Sequence, residues 1–216
     1  MAVPEPTPIF RFIHIDNLRT CLERGGLHAP NHCPDDGRIY KTIHNEEVQN
    51  KRHVTRIPCG PGGTIHDYVS FYFGYLSPMM LNLKTGRVPG YDDGQEPLIY
   101  LVSTAHAVRD SGAGFVFSNG HGLATFTDWF DDLANLDQVD WNMVYQRYWS
   151  DTLEDMDRQR RKQAEFLVYR FFEWSLIERI GVINQAMKAN VEAILAEYPA
   201  AGMRKPVVVK ADWYYY

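Results

Sequence analysis

What constrains this chain most is a series of short aromatic and β-branched runs scattered along its length. They begin with "IFRFIHI" and continue through "HDYVSFYFGYL", "PLIYLVS", "GFVFS", "FLVYRFF" and "RIGVIN" to a closing "KPVVVKADWYYY". Each is rich in the residues that fit a pleated, half-buried surface, and each predicts a strand. The segments between them follow no repeating pattern. "DNLRTCLERGGL" carries the capping types Asp16 and Asn17, apolar Leu18, Cys21 and Leu22 at helical spacing, and a stop at Gly25 and Gly26, which predicts a short helix. "NHCPDDGR" and "PCGPGG" read as loops from their Pro, Gly and Asp content. "DDLANLDQVDWNMVYQRYWSDTLEDMDRQRRKQ" has many charges and large aromatics without Pro or Gly, and predicts helical or ordered-loop structure. "QAMKANVEAILAEY" predicts an amphipathic helix. Strands and helices without regular βαβ alternation predict an α+β fold rather than a doubly wound sheet.

A chain of 216 residues can bury one substantial core, so a single domain over residues 1–216 is expected. With 45% hydrophobic and 23% charged residues it has a globular composition, which excludes disorder for the chain as a whole. The aromatic share of 13% suits either a core or a surface that stacks on flat ligands such as bases. No stretch approaches the roughly 20 apolar residues a membrane helix needs, and "MAVPEPTPIF" lacks the basic-then-apolar order of a signal peptide. A soluble, cytoplasmic protein is therefore expected. Cys21, Cys33 and Cys59 form no CxxC, which fits a reducing compartment. A formal charge of −5 opposes general attraction to nucleic acid, so such a substrate would need a local basic patch.

Among chemical motifs, His28, His32 and Cys33 in "LHAPNHC" are poor zinc ligands, because Pro30 opposes the helix that would align the histidines. No metal is expected. Walker, GxSxG and GxGxxG patterns are absent. Other stretches carry chemistry without deciding it. His14 in "FIHIDNL" is either a satisfied histidine beside a helix cap or a ligand contact. In "NKRHVTR", Lys51, Arg52, His53 and Arg56 form either a solvated face or an arginine clamp for phosphate. "YVSFYFGYLSPMM" is core or pocket, ending abruptly at Ser77, Pro78 and Met79. Glu165, between "RKQA" and "FLVYRFF", must be exposed, paired or functional, since an unpaired buried carboxylate is too costly.

Read in order, "FIHIDNLRTCLERGGL", "KR" before "GTIHDYVSFYFGYLSPMML", "FVFSNGHGLATFTDW", "RKQAEFLV" and the terminal "DWYYY" resemble the DarT family of DNA ADP-ribosyltransferase toxins. The resemblance covers nearly the whole chain. It implies an ADP-ribosyltransferase-like fold: a split, mainly antiparallel sheet with flanking helices and a central NAD cleft. It implies NAD as substrate, no metal, and transfer to a base in single-stranded DNA. It places the catalytic glutamate at Glu165, the essential arginine at Arg52 rather than Arg56, and a site histidine at His121. His14, Asn17, Arg52, Tyr72 and Ser77 would line the NAD cleft, and Met79, Trp141, Arg147, Trp149, Arg158 and Arg161 would meet the DNA strand. Thymidine is the implied acceptor, with guanosine, RNA or protein as alternatives and a non-catalytic nucleic-acid-binding module as the reading from another class. A DarG-type macrodomain antitoxin is the implied partner.

Overall fold

The computed structural model describes residues 1–200 and 202–216. β1 (Pro8–His14) leads through α1 (Leu18–Glu23) to β2 (Gly26–His28); α2 (Glu46–Val54) precedes β3 (Tyr68–Tyr72) and α3 (Pro78–Lys84) follows it. β4 (Leu98–Thr104), α4 (Ala105–Asp110), β5 (Phe115–Ser118) and β6 (Trp129–Phe130) come next, then α5 (Trp141–Val144) and α6 (Arg158–Lys162). β7 (Glu165–Tyr169), β8 (Phe171–Glu173), β9 (Arg179–Val182), α7 (Gln185–Ala196) and β10 (Val207–Val209) complete the chain.

Eight of the strands form one sheet in the order β10-β9-β4-β1-β3-β7-β5-β6, while β2 and β8 pair separately. Within the large sheet only β9 and β10 run parallel. β1 pairs with β4 from Pro8↔Thr104 to His14↔Leu98, and β3 pairs with β7 from Tyr68↔Tyr169 to Tyr72↔Glu165. Between β1 and β3 there is one register pair, Phe10↔Tyr72. The sheet is therefore split into two four-stranded halves joined by a single register pair.

Alternation along the strands sorts the core into two faces. Ile9, Ile13, Val69, Phe71, Phe166 and Val168 belong to one core cluster together with Leu18 and Leu22 of α1 and Val191 and Ile194 of α7. Phe10, Phe12, Leu98, Tyr100 and Val102 look the other way, onto Met80 and Leu83 of α3 and the terminal Trp213, Tyr214 and Tyr215. α7 follows the sequence pattern: Asn184 caps it by accepting from the Met187 N–H at 2.8 Å, and Met187, Val191, Ile194 and Leu195 form its buried stripe. α2 does not. Asn45 caps it and Glu46 and Glu47 sit favourably in its first turn, yet its one buried residue is Arg52.

Two expected strands are shorter than their sequence runs. "FLVYRFF" breaks at Arg170, whose φ of 63° turns the chain from β7 in the large sheet to β8 in the small one. The closing run is a strand only over Val207–Val209; a 3-10 turn at Ala211–Trp213 then swings the aromatics into the core, where the Tyr214 hydroxyl donates to the Leu98 carbonyl at 2.7 Å. The long charged segment resolves into a 3-10 stretch at Leu133–Gln138, α5, an ordered loop and α6. No helix among the described residues is long and apolar enough to cross a membrane.

Candidate active site

Glu165 opens β7 directly opposite Tyr72, at the edge of the split. Glu165 is 3% exposed and Arg52 9%. From α2, Arg52 reaches Glu165 with both arms of its fork: Nη1 donates to Oε1 at 3.0 Å and Nη2 to Oε2 at 2.8 Å. Nη2 also donates to the Ser70 hydroxyl at 2.7 Å, so β3 and β7 together fix the guanidinium. Two planar groups meeting at two points give a defined geometry as well as charge neutralisation. Burial alone would push the Glu165 carboxyl up; the Arg52 charge and hydrogen bonds, His121 and the Gly122 N–H overcome it and hold the carboxyl below the usual glutamate range. Burial likewise works against the Arg52 charge, and Glu165 reverses that effect.

The backbone before β7 is held from the opposite side. The Glu165 N–H donates to the Ser118 hydroxyl at 3.2 Å, and that hydroxyl donates to the Gly120 carbonyl at 2.7 Å. His121 follows, its N–H donating to the Arg160 carbonyl at 2.9 Å and its carbonyl accepting from the Thr127 hydroxyl at 2.8 Å. Gly120 admits the Arg160 side chain, since a Cβ there would lie 2.4 Å from Nη1. Burial pushes the His121 imidazole down, against the pull of Glu165. Tyr72 shares this face: its ring stacks on Phe12 at 6.2 Å, its hydroxyl lies 3.8 Å from Met79 Sδ, and burial pushes its phenol well up. Ser77 is buried as the cap of α3 and accepts from the Met80 N–H at 3.2 Å.

The segment before α2 is tied to the turn after β1 through Lys41. His14 Nδ1 accepts from the Asp16 N–H at 3.1 Å, its Nε2 lies 3.2 Å from Asp93, and burial lowers its pKa. Asn17 is occupied at both ends of its amide, accepting from the Lys41 N–H at 2.6 Å and donating to the Lys41 carbonyl at 2.9 Å. Asn17, expected as a cofactor contact, thus holds the backbone of Lys41.

The expected DNA contacts divide. Trp141 is 3% exposed, donates from Nε1 to the Leu136 carbonyl at 2.8 Å and sets its ring edge-on to Phe73, so it is a core residue and not a stacking surface. Arg161, expected at the DNA strand, pairs with Asp140, Asp155 and Asp157. Arg147 lies 4.5 Å over the Tyr216 ring, Arg158 donates to the Tyr148 carbonyl at 2.6 Å, and Trp149 Nε1 donates to the Tyr215 hydroxyl at 2.8 Å. Arg56 lies apart from Glu165, in an isolated bridge with Thr64. His28, His32 and Cys33 diverge onto Phe171, Asp67 and Arg24, and no group of three metal-ligating side chains occurs among the described residues.

Sequence reasoning missed Ser70 and Ser118, and set Arg160 with Arg158, Arg161 and Lys162 as cations along the DNA strand rather than beside Asp157 and Asn119. Ser70 was within reach: a period of two places it on the face of Tyr72, two residues before the end of β3. Ser118 and Arg160 act through contacts that only the fold creates.

The family described as "DarT: ssDNA thymidine ADP-ribosyltransferase, DarT" matches residues 10–215. A DNA ADP-ribosyl transferase of Thermus sp. (strain 2.9) is 43% identical over 213 residues, covering 98% of each chain. The solved structure of Thermus sp. 2.9 DarT with ADP-ribosylated ssDNA superposes with a TM-score of 0.91 at 41% identity, covering 100% of this chain and 99% of that one. The same protein with NAD+ gives 0.88 at 41% identity, covering 99% and 100%. With the split antiparallel sheet and the paired glutamate at its edge, these likenesses show that the chain belongs to the DarT family of single-stranded-DNA thymidine ADP-ribosyltransferases.

Proposed function

We infer that this chain is an NAD-dependent mono-ADP-ribosyltransferase that modifies thymidine in single-stranded DNA, with residues 1–216 working as one transferase domain. The observation that carries the reading is the buried fork of Arg52 on Glu165 at the split of the sheet, in a chain whose family is named for this activity. The complexes of its Thermus relative with NAD+ and with ADP-ribosylated ssDNA support it.

Breaking the bond between nicotinamide and ribose builds positive charge on the ribose, as in glycoside hydrolysis. The bond's electron pair leaves with nicotinamide, the ribose carbon bonds to a thymine nitrogen, and the proton of that nitrogen passes to a base. Glu165 suits the first half directly: an ionised carboxylate, fixed in place and shielded from water, stabilises developing positive charge without reorganising. The second half adds a requirement. A carboxylate whose proton affinity is held down is a poor base, so accepting the proton requires Arg52 to loosen its fork as DNA enters. We assign both steps to Glu165, its orientation to Arg52, and the rim of the pocket to His121, Tyr72 and Met79. His14 and Ser77 shape the NAD cleft, and Arg147, Trp149 and Arg158 belong to the strand path. A single strand presents its bases without the cost of opening a duplex. Cytoplasmic location, a toxin role and restraint by a DarG-type macrodomain antitoxin are part of the same reading.

Labelled NAD incubated with the chain and separate pools of single-stranded DNA, duplex DNA, RNA and protein tests it. Label is expected on single-stranded DNA that contains thymidine and not on strands that lack it. Transfer to RNA or protein instead would overturn the acceptor, and no turnover of NAD would overturn the enzyme.

A further inference from the structure

We propose that Arg11 is a positioning residue for the transfer reaction, bridging the split between the half-sheets and, through Ser70, fixing the fork of Arg52 on Glu165. The inference rests on the reading above and adds a residue to it. Successive residues of a strand turn their peptide groups to opposite neighbours. The Phe73 N–H donates to the Ala164 carbonyl, at 3.4 Å, so the odd-numbered residues of β3 face β7 and the peptide groups of Ser70 and Tyr72 face β1. Tyr72 meets Phe10, but pairing stops there. Ser70 would otherwise carry an orphan carbonyl into the split, where an unpaired buried acceptor is costly. Arg11 Nη1 donates to that carbonyl at 2.7 Å. The same serine's hydroxyl accepts from Arg52 Nη2 at 2.7 Å, and Nη2 donates on to Glu165 at 2.8 Å. One residue thus couples the far half-sheet to the catalytic pair.

Packing does not explain this arginine. Its strand neighbours on the same face are Ile9 and Ile13, both in the apolar core. Arg11 Nε is buried and has no hydrogen-bond partner, and burial lowers the pKa of the guanidinium. The groups that act on it after burial are Cys21, Tyr40, Arg52 and Tyr72, none of them a carboxylate. Arg11 as a whole is half-buried, and a cation held partly out of water without a counter-ion is costly. What Arg11 contributes in return is the bond across the split.

The test is kcat, KM for NAD and the pH–rate profile of Arg11→Gln, Arg11→Lys and Ser70→Ala on single-stranded DNA, with circular dichroism to establish folding. Arg11→Gln is expected to lose about tenfold or more in kcat with less change in KM, because the ground-state cleft survives while the carboxylate is misplaced. Its acid limb is expected to move to higher pH as Glu165 loses part of Arg52's hold, and Arg11→Lys to recover part of both effects. Ser70→Ala removes only the hydroxyl and is expected to move the acid limb in the same direction. A folded Arg11→Gln with wild-type kcat and an unmoved acid limb overturns the proposal. If Arg11→Gln does not fold, Ser70→Ala decides: an unmoved limb overturns the coupling and a shifted one supports it. Should the wild-type chain consume NAD without labelling DNA, the acceptor reading falls, and the acid limb of NAD hydrolysis tests Arg11 in the same way.

Discussion

Glu165 is held as an anion against the cost of its own burial, and substitution can separate the charge from the packing. Removing one partner of a buried pair typically costs about 3–5 kcal/mol, because the other charge is left uncompensated. Glu165→Ala would therefore confuse stability with catalysis. Glu165→Gln keeps the shape and one acceptor for Arg52, so it should stay folded while transfer falls by about 10²- to 10⁴-fold. A residual rate above about a tenth of wild type would remove Glu165 from the chemistry. Its lowered pKa also sets a pH signature. The pair contributes fully above the ordinary glutamate pKa of about 4.3 and is lost as pH falls through the lower folded value. Unfolding curves between about pH 5 and pH 2 should show wild type losing more stability than Glu165→Gln. Lys162 gives a slope of the same sign in a higher window, from the opposite cause, since here burial disfavours the charged form. It is 4% exposed, its Nζ donates to the carbonyls of Val144 at 2.6 Å and Gln146 at 2.7 Å, and burial lowers its pKa to about 7. The unfolded chain then binds more protons than the folded one between about pH 7 and 10, and stability rises with pH across that window. Lys162→Met should flatten this slope and speed hydrogen exchange over residues 144–146. Glu165 was legible because a carboxylate at the head of an apolar strand demands a partner; Arg11 and Lys162 were not, because nothing local marks a cation whose acceptors are distant carbonyls.

α2 is an element whose docking rests on chemistry. Arg52 is its only buried residue, while Lys51, His53 and Val54 are exposed. Most helices gain their stability from an apolar face packed on the core. Here the fork onto Glu165 and Ser70 takes that place, which explains why the sequence showed a basic run and no helix over residues 46–54. Arg52→Lys keeps the charge and loses the planar fork. It should raise hydrogen exchange across α2 by about tenfold or more, the equivalent of roughly 1.4 kcal/mol of local stability, and sharply reduce transfer. Arg56→Lys should leave both unchanged, and the reverse ranking would show that the arginine is misassigned. The strands, by contrast, were legible nearly throughout, since β3, β5 and β9 fall within the aromatic and β-branched runs and β1, β4 and β7 overrun theirs by a single residue. The break at Arg170 was not, because a positive φ in a non-glycine residue is imposed by tertiary structure: its N–H donates to the Asp67 carbonyl at 2.8 Å.

For the whole molecule the difficulty is how a chain of net charge −5 holds a polyanion. The basic cluster before β7 promised an answer in sequence, but the fold spends much of it internally. Arg160 pairs with Asp157 and braces Asn119 at 3.1 Å, Arg161 pairs with three aspartates, and Lys162 is buried. Arg147 and Arg158 instead hold a ring and a carbonyl, and neither interaction neutralises their charge. If they meet phosphates, Arg147→Gln and Arg158→Gln should each flatten the salt dependence of single-stranded DNA binding by about 0.7 for every phosphate no longer neutralised. Arg161→Gln should leave the slope unchanged and loosen the loop between α5 and α6. The aromatics divide in the same way. Trp141→Ala empties a core site and should cost about 3–5 kcal/mol of stability. Tyr148, 80% exposed on the loop before α6, is free to stack. Tyr148→Ala should weaken DNA binding by roughly 1–3 kcal/mol with an unchanged salt slope and unchanged unfolding, because stacking on a base face is insensitive to counterions. Affinity titrations at several salt concentrations, beside denaturant curves for the same variants, separate these outcomes. Wild-type affinity and slope in Arg147→Gln, Arg158→Gln and Tyr148→Ala together would move the strand off this loop, toward the exposed rim beyond His121 where Phe126 stands clear of the core.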